Sequence, residues 1–263
     1  MIRINNSLLI QKLHQMQISL IQSLLHWENV SLNLEMFEEK MADIGKTDLI
    51  ILPEMFSTGF SMNALELAEK MDGQSVKWIK EQAEKKNAAI TGSLIIEENG
   101  HFYNRLIFML PDGNFYKYDK KHLFSMAKEE ETFTAGTEKL IIEYLGWKIC
   151  PFVCYDLRFP VWNRNKEDYD LAIYVANWPD RRSYHWRSLL VARAIENQCY
   201  IAAVNRVGTD GKGLYYSGYS SIIDPAGEIL YQQQDLEDIQ SFILSKKDLE
   251  DIRTKLPFLK DRD

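Results

Sequence analysis

A chain of 263 residues, 46% of them hydrophobic and 26% charged, can bury a large core, and its length suits a single α/β domain. Its 31 Lys and Arg against 38 Asp and Glu leave a formal charge of -7, which disfavours nucleic acid and anionic membrane as partners. Three widely spaced cysteines, an odd number, make no disulfide framework and suit a reducing, cytoplasmic setting, and no run of about 18 apolar residues is present to span a membrane.

Short β-like runs alternate with helical ones along the chain, the pattern of an α/β architecture. Residues 1–16 read as an N-terminal extension, with neither the long apolar run nor the small-residue cleavage site of a signal peptide, and 17–263 as one domain. A strand over 17–21 leads to a helix over 32–44, with Leu32, Met36, Phe37, Met41 and Ile44 at helical spacing. The continuous apolar run 49–52 predicts a buried strand, and Trp78 and Ile79 fall on a second helix. Strands over 88–96 and 102–110, joined at Glu98-Asn99-Gly100, predict a hairpin. The turn Pro111-Asp112-Gly113-Asn114 then leads to a strand over 115–118.

Strands follow over 140–144, 147–153 and 171–176. Trp186, Leu190 and Ala194, with Val191 and Ile195 alongside, predict a helix over 184–197, and strands over 200–204, 220–223 and 242–244 complete the chain. No internal repeat, low-complexity tract or flexible linker interrupts this order.

Three apolar strands end abruptly on a side chain that can do chemistry: Leu52-Pro53-Glu54, Tyr118-Asp119-Lys120 and Phe152-Val153-Cys154. Ligand crevices in such sheets lie at the carboxyl ends of strands, so these ends can converge. Singly, a Cys ending an apolar strand is more often a core residue, a Glu after Pro a solvated turn carboxylate, and a Lys beside another Lys a surface cation. Together they supply a nucleophile, a base and a cation, the parts of an acyl-transfer mechanism. A Lys beside Cys154 would favour its thiolate and could hold an oxyanion. Cys150 and Cys154, four apart in one strand, would stand about 13 Å from each other at ~3.3 Å per residue, too far for a bridge. No Cys-x-x-Cys pair suggests redox chemistry, and His122 and His185 lack further ligands for a metal.

Pro53-Glu54, Lys120-Lys121-His122-Leu123-Phe124 and Val153-Cys154-Tyr155-Asp156-Leu157-Arg158-Phe159-Pro160 resemble, in order, the three signature segments of the nitrilase or carbon–nitrogen hydrolase superfamily. That resemblance runs from about Gln17 to Leu244 and implies a four-layer αββα sandwich, a Glu54-Lys120-Cys154 triad, no cofactor and a homodimer, with the segment 256–259 a possible contact. It selects Lys120 over Lys121. It also implies a second glutamate seven residues before a glycine, which Glu129 satisfies relative to Gly136, although Glu130 and Glu131 adjoin it. The oxyanion would lie between Lys120 and the backbone N–H of Tyr155. Asp156 and Arg158, close behind the nucleophile, read more as structural charges than as site residues.

Phe56-Ser57-Thr58-Gly59-Phe60-Ser61-Met62, Asn177-Trp178-Pro179, His185-Trp186 and Ala192-Arg193-Ala194-Ile195-Glu196-Asn197 resemble the omega-amidase branch, which hydrolyses the terminal amide of 2-oxoglutaramate and 2-oxosuccinamate. A substrate carboxylate would need a cation, for which Arg181 and Arg182 are the candidates, with Phe60, Trp178 and Tyr155 as an apolar wall. A nitrilase, a carbamoylase or an idle protein of the same fold are the alternatives.

Overall fold

The computed structural model describes residues 15–262; residues 1–14 and 263 lie outside the described part, and with them most of the expected extension. The first strand, β1, is Gln15–Gln22, two residues earlier than expected. Met16 is fully buried, because β1 runs antiparallel to the last strand and Met16 sits opposite Leu244.

Two mixed sheets form the centre. In the first, β1 lies between β13 (Asp238–Ser245) and β2 (Leu49–Ile51), and β3 (Ala89–Glu98), β4 (His101–Met109) and β5 (Phe115–Asp119) follow in order. β1, β2 and β3 are parallel, whereas β3, β4 and β5 are antiparallel. Asn99 and Gly100 take the left-handed conformations of a two-residue hairpin between Glu98 and His101, as their sequence predicts.

The second sheet has the order β10 (Val207–Thr209), β11 (Tyr215–Ile223), β9 (Tyr200–Asn205), β8 (Leu171–Ala176), β7 (Trp147–Val153), β6 (Ile142–Tyr144). β7, β8 and β9 are parallel, and β12 (Ile229–Gln234) pairs with β11.

Alternation along the strands builds the layers. Leu49 and Ile51 of β2 face Ile149, Leu171, Ile173 and Val204 of the other sheet, making the inner core. Ile50, Leu52 and Ile90 face outward against Phe37 and Met41 of α1 (Val30–Ala42) and Ile79 of α2 (Gln74–Lys86). On the far side, Cys150, Phe152 and Tyr174 pack on Trp186, Leu190 and Ala194 of α3 (Ser183–Asn197). The result is the αββα sandwich: both faces of each central strand are buried, which is why these runs are continuously apolar rather than alternating.

Some expectations shift. Leu32 and Ile195, expected on buried helix faces, are about half exposed, at 45% and 51%. Strands β10 and β12 and the helix α4 (Lys246–Lys255) went unrecognised, because β12 is polar and largely open and α4 buries only Leu249. The segment after α4 is fastened to its own chain, with Gln198 donating to the Leu256 carbonyl and accepting from the Leu259 N–H. No described helix is long and apolar enough to cross a membrane.

Candidate active site

The reactive residues stand where strands of both sheets end, each delivered by a sharp backbone reversal. After β2 the chain passes through Leu52-Pro53 to Glu54, and Met55 turns it at φ 43°, with its N–H held by Ser93 Oγ at 2.9 Å. Lys120 follows β5 directly; its N–H donates to the Asn104 carbonyl, and its own carbonyl accepts from the Gly136 N–H. A side chain at Gly136 would collide with the Asp119 carbonyl oxygen, so Gly136 is required by the close approach of this loop to the strand bearing Lys120. Gly136→Ala is therefore expected to lose roughly 1–3 kcal/mol of stability and to lower turnover by displacing Lys120, as urea unfolding and an activity assay would measure.

Cys154 directly follows β7 and itself adopts φ 46°, a left-handed conformation that costs a non-glycine residue about 1 kcal/mol or more. The turn Cys154–Arg158 is braced by Asp156, which is fully buried. Asp156 accepts from the Val153 N–H, the Tyr118 hydroxyl and the His122 N–H, and its Oδ1 lies 2.8 Å from His122 Nδ1. This carboxylate ties the Lys120 segment to the Cys154 segment. Arg193 of α3 fastens the other end of the turn, donating twice to the Leu157 carbonyl.

The three expected residues meet, and Glu129 joins them. Lys120 Nζ donates to Glu54 Oε1 at 2.9 Å and to Glu129 Oε2 at 2.9 Å, with all three side chains sealed from solvent. Glu130 and Glu131 are exposed, so of the three adjoining glutamates Glu129 is the one that meets Lys120, and Lys121 turns instead toward the Trp162 ring. Asn104 donates to Glu54 Oε1 at 2.8 Å and to Glu129 Oε1 at 3.2 Å. Asn177 donates its backbone N–H to Glu54 Oε2 at 2.8 Å and its side-chain amide to the Glu54 carbonyl at 2.6 Å. Asn205 in turn holds Trp178 at both its N–H and its carbonyl.

Two negative charges surround one positive charge here, and the proton affinities follow. Burial alone would strip the proton from Lys120, but the charges of Glu129 and then Glu54 outweigh it and keep the ammonium. Burial, reinforced by the Glu54 charge against the pull of Lys120, raises the Glu129 carboxyl above the usual range. Burial also pushes the Cys154 thiol well up, followed by the Glu54 charge, and Lys120 only partly offsets this. Lys120 does favour the thiolate, as expected, but burial and the Glu54 and Glu129 charges outweigh it and raise the proton affinity of the thiol.

Lys120 and Cys154 are among the residues that line a cavity of about 230 Å³. Its walls include Phe60, Phe124, Tyr155, Trp178, Arg181 and Arg182, so each residue expected to bind substrate lines it. Phe60 also places its ring 5.2 Å from Lys120 Nζ. Arg158, expected to be structural, lines the cavity as well: its guanidinium lies 4.7 Å over the Trp178 ring, and it donates to His185 Nδ1 rather than meeting Asp156. Arg182 lies 5.1 Å over the Phe124 ring, and burial, with the neighbouring Arg181 charge, lowers its proton affinity. Among the described residues none of Arg158, Arg181, Arg182 and Lys212, all in the wall, pairs with a carboxylate. The one carboxylate lining it among the described residues, Asp210, accepts instead from the Tyr216 hydroxyl and the Lys212 and Leu214 N–H groups. The described residues contain no cluster of three or more His, Cys, Asp or Glu that could hold a metal ion.

Asn104 and Asn205 have no place in the sequence reading, and Arg158 enters it only as a structural charge. Asn104 is followed by Arg105 in its strand and so carries no clear signal, whereas Asn205 ends the apolar run 200–204 as a lone amide, which burial makes costly unless the amide is partnered.

The family model for carbon–nitrogen hydrolases matches residues 13–253. Omega-amidase YafV of Escherichia coli strain K12 is 45% identical over 252 residues, covering 94% of this chain and 97% of the relative. A 2-oxoglutaramate amidase of Bacillus subtilis is 34% identical over 239 residues, covering 89% and 91%. The crystal structure of XC1258 from Xanthomonas campestris, a CN-hydrolase superfamily protein with an arsenic adduct in its active site, superposes with a TM-score of 0.93 at 43% identity, covering 95% of this chain and 98% of that one. The chain belongs to the carbon–nitrogen hydrolase family, whose members hydrolyse C–N bonds.

Proposed function

We propose that this amide hydrolase releases ammonia from the terminal amide of a small 2-oxo dicarboxylic acid monoamide, 2-oxoglutaramate or 2-oxosuccinamate, through a thioester on Cys154. The observation that carries the substrate class is the set of cations without carboxylate partners among the described residues in the cavity that Cys154 also lines, which calls for an anionic compound. The relatives whose names specify omega-amidase and 2-oxoglutaramate amidase activity point the same way.

Cys154 Sγ attacks the amide carbon while Glu54 takes the thiol proton. Burial and the Glu54 charge raise the proton affinity of the thiol, so attack needs Glu54 to receive its proton. Lys120 and the Tyr155 N–H receive the oxyanion. Collapse breaks the C–N bond, Glu54 returns its proton to the departing nitrogen, and ammonia leaves. Water then attacks the thioester carbon, giving its proton to Glu54; the acid departs and the thiol is restored with that proton. Glu129 keeps Lys120 charged and in place throughout.

The test is ammonia release from 2-oxoglutaramate, 2-oxosuccinamate, simple nitriles and N-carbamoyl amines. Turnover of the first two is expected; turnover of only the last two kinds sinks the substrate reading. Among Arg158→Ala, Arg181→Ala and Arg182→Ala, at least one is expected to raise KM for 2-oxoglutaramate roughly 10- to 100-fold, the worth of a charge-assisted hydrogen bond. Unchanged KM in all three would show that none binds the carboxylate.

A further inference from the structure

Trp27 does not line the cavity, but it touches two segments that do. Half-buried, it projects from a stretch of chain fastened to the loop 57–61. There the Glu28 N–H donates to the Thr58 carbonyl at 2.8 Å, the Ser61 hydroxyl donates to Glu28, and Asn33 Nδ2 donates to the Ser57 carbonyl at 2.8 Å. Gly59 of this loop has φ 75°, and a Cβ on it would come within 3.3 Å of Trp27 Cε3. The same loop carries Phe60, which lines the cavity with its ring 5.2 Å from Lys120 Nζ. The five-membered ring of the indole abuts a different segment, the turn 210–214 between β10 and β11. A Cβ at Gly211 would overlap Trp27 Cδ1, Cγ and Nε1, and Lys212 Nζ lies 5.8 Å from the Trp27 ring. That turn supplies Asp210, Lys212 and Leu214 to the cavity. Among the described residues its hydrogen bonds all stay within its own hairpin, running between Asp210, Lys212, Gly213, Leu214 and Tyr216. With no hydrogen bond leading outward, the turn meets the 57–61 loop through the indole.

We propose that Trp27 is a positioning residue for substrate binding: its indole latches the 210–214 turn to the Phe60 loop and so keeps Lys212 and Leu214 in the cavity wall. The inference rests on the cavity being where substrate binds, as read above, and not on which compound that substrate is. A turn already held in place costs little to order when substrate arrives, whereas ordering a loose one weakens binding. Gly211 belongs to the latch, because only a residue without Cβ lets the indole reach the backbone. Its φ lies outside the left-handed region, so the need for glycine comes from Trp27 and not from the turn's own conformation. Glu54, Lys120 and Glu129 are held by Asn104, Asn177 and one another, without contribution from the turn, so the chemical step is spared when the latch is lost.

The experiment measures kcat and KM in wild type, Trp27→Ala, Gly211→Ala and the double variant, with whichever compound the wild type turns over fastest in the panel above. Failure of 2-oxoglutaramate in that panel therefore overturns the substrate reading alone and leaves the latch open to measurement. Trp27→Ala and Gly211→Ala are each expected to raise KM about tenfold with kcat within about threefold of wild type, the mark of lost ground-state binding. The double variant should have the KM of Trp27→Ala, because the three atoms that a methyl group at Gly211 meets first all belong to Trp27. Trp27→Phe, which keeps part of the aromatic surface, should recover part of the loss, and together with Gly211→Ala it serves if Trp27→Ala fails to fold. Wild-type KM in both single variants, whatever their melting temperatures, would overturn the proposal. So would a fall in kcat at unchanged KM, or a double variant whose KM rises by the product of the two single effects.

Discussion

Lys120→Met is expected to lose roughly 3–5 kcal/mol of stability at neutral pH and at least about a thousandfold in turnover. In the wild type one ammonium lies between the Glu54 and Glu129 carboxylates in a region sealed from water. An apolar replacement fills the space but leaves two carboxylates facing each other. The loss should depend on pH, with a sign fixed by Glu129. Its folded proton affinity is already raised by burial and the Glu54 charge, against the pull of Lys120, so folding favours its protonated form. That contribution is complete below the ordinary carboxylate range of the unfolded chain and disappears as pH rises through the higher folded value. Without Lys120 the folded value climbs further, so the deficit of the variant is largest at neutral and alkaline pH and shrinks toward pH ~4–5. Urea unfolding of both proteins at several pH values measures this; an equal deficit at acid and neutral pH would show that the two carboxylates are not coupled through Lys120.

Cys154→Ala is expected to fold, with a melting temperature close to wild type, and to lose turnover by about four orders of magnitude or more. The substitution keeps a Cβ in the left-handed conformation already tolerated there and opens little space at a wall that is partly exposed to the cavity. The wild-type thiol should be alkylated slowly by iodoacetamide at neutral pH, with the rate climbing above the ordinary thiol range, because burial and Glu54 hold the proton on sulfur. Fast alkylation independent of pH between about 6 and 8 would instead reveal a preformed thiolate and contradict this charge balance.

Much of the molecule is legible in its amino acids, and the parts that are not share physical causes. The runs 49–52, 147–153 and 171–176 read as strands, the first of them as a buried one, and their apolar character follows from both faces being covered, one by the opposing sheet and one by helices. β12 and α4 escape the same reading because their burial is slight and leaves almost no apolar signature. Glu54, Lys120 and Cys154 stand out at strand ends, but nothing in their spacing reveals the reversals that bring them together. Met55 and Cys154 themselves, and Lys128 just before Glu129, adopt positive φ without being glycine, so no turn signal marks these positions. The electrostatics were hidden for a similar reason: Lys120 beside Cys154 suggests a thiolate until the two carboxylates that surround the ammonium are located. The turn sends Asp156 inward to His122 and Arg158 over Trp178, a separation that the closeness of the two residues in sequence does not reveal.

The most direct measurement is acid quenching of the wild type during turnover of 2-oxoglutaramate, followed by peptide mass spectrometry and treatment with hydroxylamine. An acyl group on the peptide bearing Cys154, released by hydroxylamine and absent from Cys154→Ala, is the predicted result. An acyl group on a different residue, or ammonia release by Cys154→Ala at the wild-type rate, would contradict it.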